Sequence, residues 1–133
     1  MKYWLFVTNE ENWKIIKEKE IYGFNEKSKK DLDRLNVGDL IICYIIGKHI
    51  GGAFKITSLK EDTNIKFKIQ DYPFKIKIKK IIIPKEPIDF TERMVEEISI
   101  FKNLNRWGTI LMGRATKEIT KQDYEYFKEN LKC

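Results

Sequence analysis

The sequence predicts a single α+β domain, built as a curved, barrel-like sheet of about five to six strands with helices set around it. Three observations predict it. Short apolar or alternating runs of strand length recur between turn residues. A few stretches carry helical spacing instead. And 133 residues, 42% hydrophobic and 13% aromatic, are enough for one core but not for two.

Taken in order, Tyr3-Trp4-Leu5-Phe6-Val7 is the first strand. Thr8 or Asn9 then caps a helix, with Glu11 or Asn12 where a capping box closes, and Trp13 and Ile16 follow at helical steps. Tyr22-Gly23-Phe24 is expected to leave that helix, and Ser28 to cap a second, short one that turns Leu32 and Leu35 inward. Asn36-Val37-Gly38-Asp39 makes a turn, with Gly38 free to take positive φ. Leu40 to Ile46 is continuously apolar and so a buried strand, and Gly47-Lys48-His49 returns it as Ile50 to Leu59. Gly51-Gly52 inside that return strand marks a bulge or a close backbone approach.

Residues 65–69 and 74–78 alternate with period two, which puts Lys66, Lys68, Lys75 and Lys77 on one face, and residues 70–73 are placed to join the two runs as a hairpin. Ile81 to Ile83 extends the second run to Pro84, and Pro87 to Phe90 is a short extended piece. Thr91 caps a helix to about Ile98, and residues 103–113 are irregular. Thr120 opens a last helix whose Tyr124, Phe127 and Leu131 face the sheet.

The composition excludes more functions than it selects. A net charge of +6 and a pI of about 9.2 favour anionic partners, although lysine-rich surfaces often serve only as solvated faces. The abundance of Lys and Ile fits a heat-adapted source, or a genome that favours their codons. Cys43 in an apolar run and Cys133 at the end support neither a disulfide framework nor a cysteine metal site. His49 is the only histidine and has no partner at ligand spacing, so neither metal catalysis nor a Ser-His-Asp arrangement is expected. The glycines match no phosphate-cradling motif, and no cofactor is expected. The amino terminus lacks the pattern of a signal peptide, and no apolar stretch approaches the ~20 residues that cross a bilayer. The expectation is a cytoplasmic protein with no membrane partner.

What remains is a supply of aromatic and amide groups near turns, which suits base recognition: rings stack on bases, and an Asn amide offers a donor and an acceptor together. Trp4, Phe6, Trp13 and Phe54 lie on apolar faces and read as core. Tyr22, Tyr72 and Trp107 each lie beside a turn residue, and for them core and pocket both stand open.

Several segments, in order along the chain, resemble the EVE domain family: Met1-Lys2-Tyr3-Trp4-Leu5, Thr8-Asn9 with Glu11-Asn12-Trp13, Tyr22-Gly23-Phe24, Val37-Gly38-Asp39, residues 72–77, Arg106-Trp107, Gly113 and Glu118. The resemblance implies a PUA-like fold, a mixed, partly closed β-barrel flanked by helices. It also implies kinship with YTH domains, which enclose a methylated adenine in an aromatic cage, and so a partner that is DNA or RNA carrying a modified base.

By that resemblance Asn9 and Asn12 would contact the base and Tyr22 would form one wall, with Phe67 and Tyr72 as candidates for the opposite one; Gly23 and Phe24 are expected to converge with them at one end of the barrel, and Trp107 is a further pocket candidate. Apart from the resemblance, Lys66, Lys68, Lys75 and Lys77, with Arg106, would hold flanking phosphates if their face borders the pocket, and otherwise keep the strand edge soluble. Tyr22 stands where the family more often has Trp, and the loop from Leu59 to Asp71 is shorter than usual. Two other functions remain open. One is an amidohydrolase-like enzyme of the related ASCH group, for which Thr8, Lys29 or Lys30, and Glu11 are available. The other is a protein-interaction module.

Overall fold

A computed structural model describes residues 1–24, 29–47, 49–59, 74–90 and 116–132. Strand β1 (Tyr3–Thr8) leads into helix α1 (Glu10–Lys19), strand β2 (Ile21–Phe24) and the short helix α2 (Lys29–Leu32). Strands β3 (Leu40–Ile45), β4 (His49–Ser58), β5 (Phe74–Ile82) and β6 (Ile88–Asp89) follow, then β7 (Thr116–Ile119) and helix α3 (Lys121–Asn130). The sheet order is β2-β5-β4-β3-β1-β7, and the two-residue β6 adds to β4. Only the β1–β3 pair is parallel among these pairings. The result is a mixed half-barrel of the α+β class, as the sequence predicts.

The central strands are apolar throughout because both of their faces are covered. In β1 and β3, Trp4, Phe6, Ile41, Cys43 and Ile45 face a concave core that α1 closes with Trp13 and Ile16. Leu5, Ile42 and Tyr44 face the outer side, where α3 lays down Tyr124, Phe127 and Leu131. Trp4, Phe6, Trp13 and Phe54 are all buried core rings, as expected. Burial also pushes the Cys43 thiol pKa up, so it behaves as a small hydrophobe.

Local chemistry sets the element ends. Asn9 Oδ1 accepts from Asn12 N at 2.8 Å to cap α1, whose acidic first turn and basic last turn both oppose the helix dipole. The helix stops at Glu20, which takes the left-handed conformation at φ 56°. Gly38 turns the chain into β3 at φ 97°. The close approach predicted at Gly51-Gly52 is real. The β3–β4 register passes from Cys43↔Gly52 to Tyr44↔Ile50, so Gly51 is the extra, bulged residue. A Cβ there would stand 2.6 Å from Trp13 Cζ2, so the absent side chain is what lets the α1 indole lie on β4.

One element differs from expectation. Tyr22-Gly23-Phe24 is not a loop leaving α1 but part of β2, an edge strand paired antiparallel to β5 through Tyr22↔Ile76 and Phe24↔Phe74. Four residues with a central glycine carry little local strand signal, and pairing with a segment some fifty residues away decides the conformation.

Candidate nucleobase-binding site

The end of β1 gathers most of the described residues expected to touch a base. Thr8 is buried and Asn9 half-buried where β1 passes into α1, and Asn12 is buried one turn later. Tyr22 reaches the same place from β2, its hydroxyl donating to Val7 O at 2.6 Å, two residues before Asn9. Phe24 and Tyr22 extend from the same side of β2, ring centroids 5.1 Å apart, and both rings lie against Phe6. Gly23 lies between them, opposite Lys75 on β5.

Tyr22 is only 4% exposed, and its centroid is 4.6 Å from that of Phe6. Between the core and pocket positions that the sequence left open, the ring is packed as core while its hydroxyl marks the site. Asn9 likewise has a structural duty, since Oδ1 is used by the cap and the Nδ2 donors are the part of the amide left over.

On β5, Lys75 is half-buried and Lys77 exposed, alternating with buried Ile76 and Ile78, so the two share the outer face. Phe67, Tyr72, Trp107, Lys66, Lys68 and Arg106 lie outside the described residues, as do the expected residue 70–73 hairpin and the helix expected at Thr91. Of the residues considered for an enzyme, Thr8 is buried at the site, Glu11 and Lys30 are exposed on α1 and α2, and the Lys29 side chain is outside the description. No cluster of metal-ligating side chains occurs among the described residues, and none of their helices is long and apolar enough to cross a membrane.

Two residues take parts here that differ from their sequence reading. Ile46, expected within the buried strand, lies past its end at Ile45 and is 62% exposed, because the chain turns there; its N–H donates to Thr8 O at 2.8 Å, which leaves an apolar residue beside the end of β1. An isoleucine standing immediately before a turn glycine is the signal that could have flagged it. Asp39 is 1% exposed and accepts from Lys2 N, Trp4 Nε1 and Asn36 N, each at 3.0 Å. It fastens the start of β1 to the Gly38 turn, and as a turn aspartate it showed no sign of that. An open groove of about 500 Å³ around Met1, Val37, Leu40 and Lys55 adjoins this clamp, at the opposite end of β1 from Asn9.

A mixed half-barrel with a capped helix closing its concave side is the fold of PUA-like and YTH domains. The structure superposes on a YTH domain, that of Pho92 in complex with m6A, at a TM-score of 0.69 and 17% identity, covering 99% of this chain and 84% of that one. On the Mmi1 YTH domain complexed with RNA the TM-score is 0.66 at 13% identity, covering 98% and 77%. At these identities the likeness is one of fold. Sequence comparison is more specific: the chain belongs to the EVE domain family, whose profile matches residues 2–129. It is 31% identical to a UPF0310 protein of Pyrococcus abyssi over 146 aligned positions, which cover 98% of this chain and all of that relative.

Proposed function

We propose that this EVE domain binds nucleic acid and receives a nucleobase, preferentially a modified one, at the end of β1. The observation that carries the reading is the meeting of Asn9, Asn12 and Tyr22 through the Tyr22–Val7 hydrogen bond. Asn9 Nδ2 and the Asn12 amide supply directional contacts for a base edge, and Ile46 supplies an apolar rim. Two of the fold's neighbours are recorded with m6A and with RNA, which supports the same class of ligand here.

Tyr22 provides the stacking surface by swinging out of its packed position. The swing breaks the bond to Val7 O, which costs about 1 kcal/mol, and empties a buried ring position beside Phe6, which costs ~3–5 kcal/mol more, so a stacking gain of ~1–3 kcal/mol offsets it only together with the contacts of Asn9 and Asn12. A buried methyl adds only ~0.8 kcal/mol, so selectivity for a modified base also needs shape and the cost of stranding polar groups on the wrong one. Lys75, opposite Gly23 but on the outer face of the sheet, is the described lysine nearest in register to Tyr22 and Phe24 that could meet a flanking phosphate.

The test is titration with single-stranded oligonucleotides carrying methylated adenine, methylated cytosine or no modification, using wild type and Asn9→Ser. Serine keeps the cap and removes the amide. The reading expects tighter binding of one modified strand and loss of that preference in Asn9→Ser at unchanged stability. Equal binding of all strands by both proteins would sink the base site, and a new chromatographic peak from a modified nucleoside would favour an enzyme.

A further inference from the structure

The outer face of the half-barrel divides in two. Over β1 and β3 it is apolar and covered by α3, whereas over β4 and β5 it carries Lys55, Lys77 and Lys79, all exposed, with half-buried Lys75 at the β2 end. Lys55 stands directly opposite Lys79 in the β4–β5 register. Like charges in that position oppose sheet formation, and a carboxylate at either would have favoured it. Among the described residues, none of Lys55, Lys77 and Lys79 has an acidic partner within ion-pair distance. The Glu20 carboxylate, on the same side of the sheet order, is held by the Lys80 backbone N–H at 3.0 Å rather than by a lysine ammonium.

We propose that Lys55, Lys77 and Lys79 form a phosphate-contacting ladder that carries the backbone of a single-stranded nucleic acid away from the base site. The proposal rests on the reading above and extends it to an interaction surface. Lys75 continues the β5 row on the outer face and pairs in register with Gly23, so the row ends beside the edge strand whose other face carries Tyr22 and Phe24. Alternate residues of a strand rise ~6.8 Å, so Lys75 to Lys79 spans about 14 Å, the axial length of roughly four stacked nucleotides. Lys77 and Lys79 form a row along β5 with Lys55 beside Lys79 on β4, and their charge, which has no acidic partner among the described residues, is complementary to a phosphate backbone.

The experiment measures binding of an unmodified single strand of about twelve nucleotides, as DNA and as RNA, between 50 and 200 mM salt. It compares wild type, Lys55→Gln/Lys77→Gln/Lys79→Gln, and the charge-matched Lys85→Gln/Lys121→Gln/Lys132→Gln. Each lost contact flattens the slope of log affinity against log salt by about 0.7, so the ladder variant should lose about 2 in slope. Across that salt range wild-type affinity should then fall about 20-fold further than the variant's. Far-ultraviolet circular dichroism and melting confirm that both variants are folded; should the triple variant not fold, the three single variants are read, each at about 0.7.

Equal losses in the two triple variants, or an unchanged slope, overturn the ladder while leaving the base site intact. Stronger binding of a duplex than of the single strand overturns it as well. A ladder-dependent slope together with no preference for any modified base would uphold the ladder and end the base-site reading. A wild type that binds neither DNA nor RNA ends both.

Discussion

Helices α1 and α3 each run ten residues from an N-cap whose side-chain oxygen accepts from the backbone N–H three residues on, Asn9 from Asn12 and Thr120 from Asp123. In each the residue at that third position is buried and polar, and an aromatic follows it into the core: Asn12 and Trp13, Asp123 and Tyr124. The contrast lies in what surrounds the caps. The start of α1 meets Tyr22, Val7 and exposed Ile46, while α3 follows directly on β7, and its aromatics pack on the outer core. An amide at a helix start is therefore weak evidence of function alone, because the same geometry at α3 needs only structural chemistry. What distinguishes α1 is the convergence of non-local groups on its cap.

The largest effects should be equal on the two sides. Trp4→Ala in the concave core and Phe127→Ala under α3 each remove a fully buried ring and should cost ~3–5 kcal/mol in chemical denaturation. Trp4→Ala should stand at the upper end, since it also strips a hydrogen bond from the buried Asp39 carboxylate. A loss confined to one variant would mean that the two cores do not unfold together.

Alkaline titration should separate the sides. Burial raises the Tyr124 hydroxyl pKa to about 12, so the folded state keeps a proton that the unfolded chain releases near pH 10. That contribution is complete below pH 10 and is lost as pH rises toward 12, by about 3 kcal/mol. Tyr124→Phe should abolish this step, and a step that persists in the variant would place its origin elsewhere.

Smaller effects probe the caps. Asn9→Ala and Thr120→Ala should each cost ~1 kcal/mol of stability, yet only the first should weaken nucleic-acid binding. Equal effects on binding would erase the functional contrast between the helices. The finest test is Tyr22→Phe, which keeps the ring and removes the bond to Val7 O. Stability should fall by about 1 kcal/mol, while base affinity should rise about fivefold because the ring no longer breaks that bond in swinging out. Weaker or unchanged binding would show that Tyr22 stays in the core.

Much of the fold was legible because its signals are local. The caps at Asn9 and Thr120, the positive-φ turn at Gly38, the bulge at Gly51 and the core positions of α3 all follow from residue types within a few positions of each other. Strand β2 was not legible, since its conformation comes from pairing with β5. The site divides the same way: Asn9 and Asn12 could be picked out on a helix start, whereas Ile46 and the burial of Tyr22 depend on contacts between distant segments. The Lys55–Lys79 opposition is likewise a matter of register, invisible until the strands are aligned.

The order in which the sheet can be completed follows from the place of β1. Strand β1 is bonded on one side to β3 and on the other to β7, which spans Thr116–Ile119 and comes much later in the chain. On the ribosome, β1 can acquire its β3 neighbour early, but its other edge lacks its β7 partner until residues 116–119 have emerged. That edge belongs to the run Tyr3-Trp4-Leu5-Phe6-Val7, apolar, uncharged and free of proline, the kind of segment that pairs readily with other chains. Chains that stall or are cut before β7 should therefore aggregate through β1, and the pairing of β7 is the step that closes this part of the sheet.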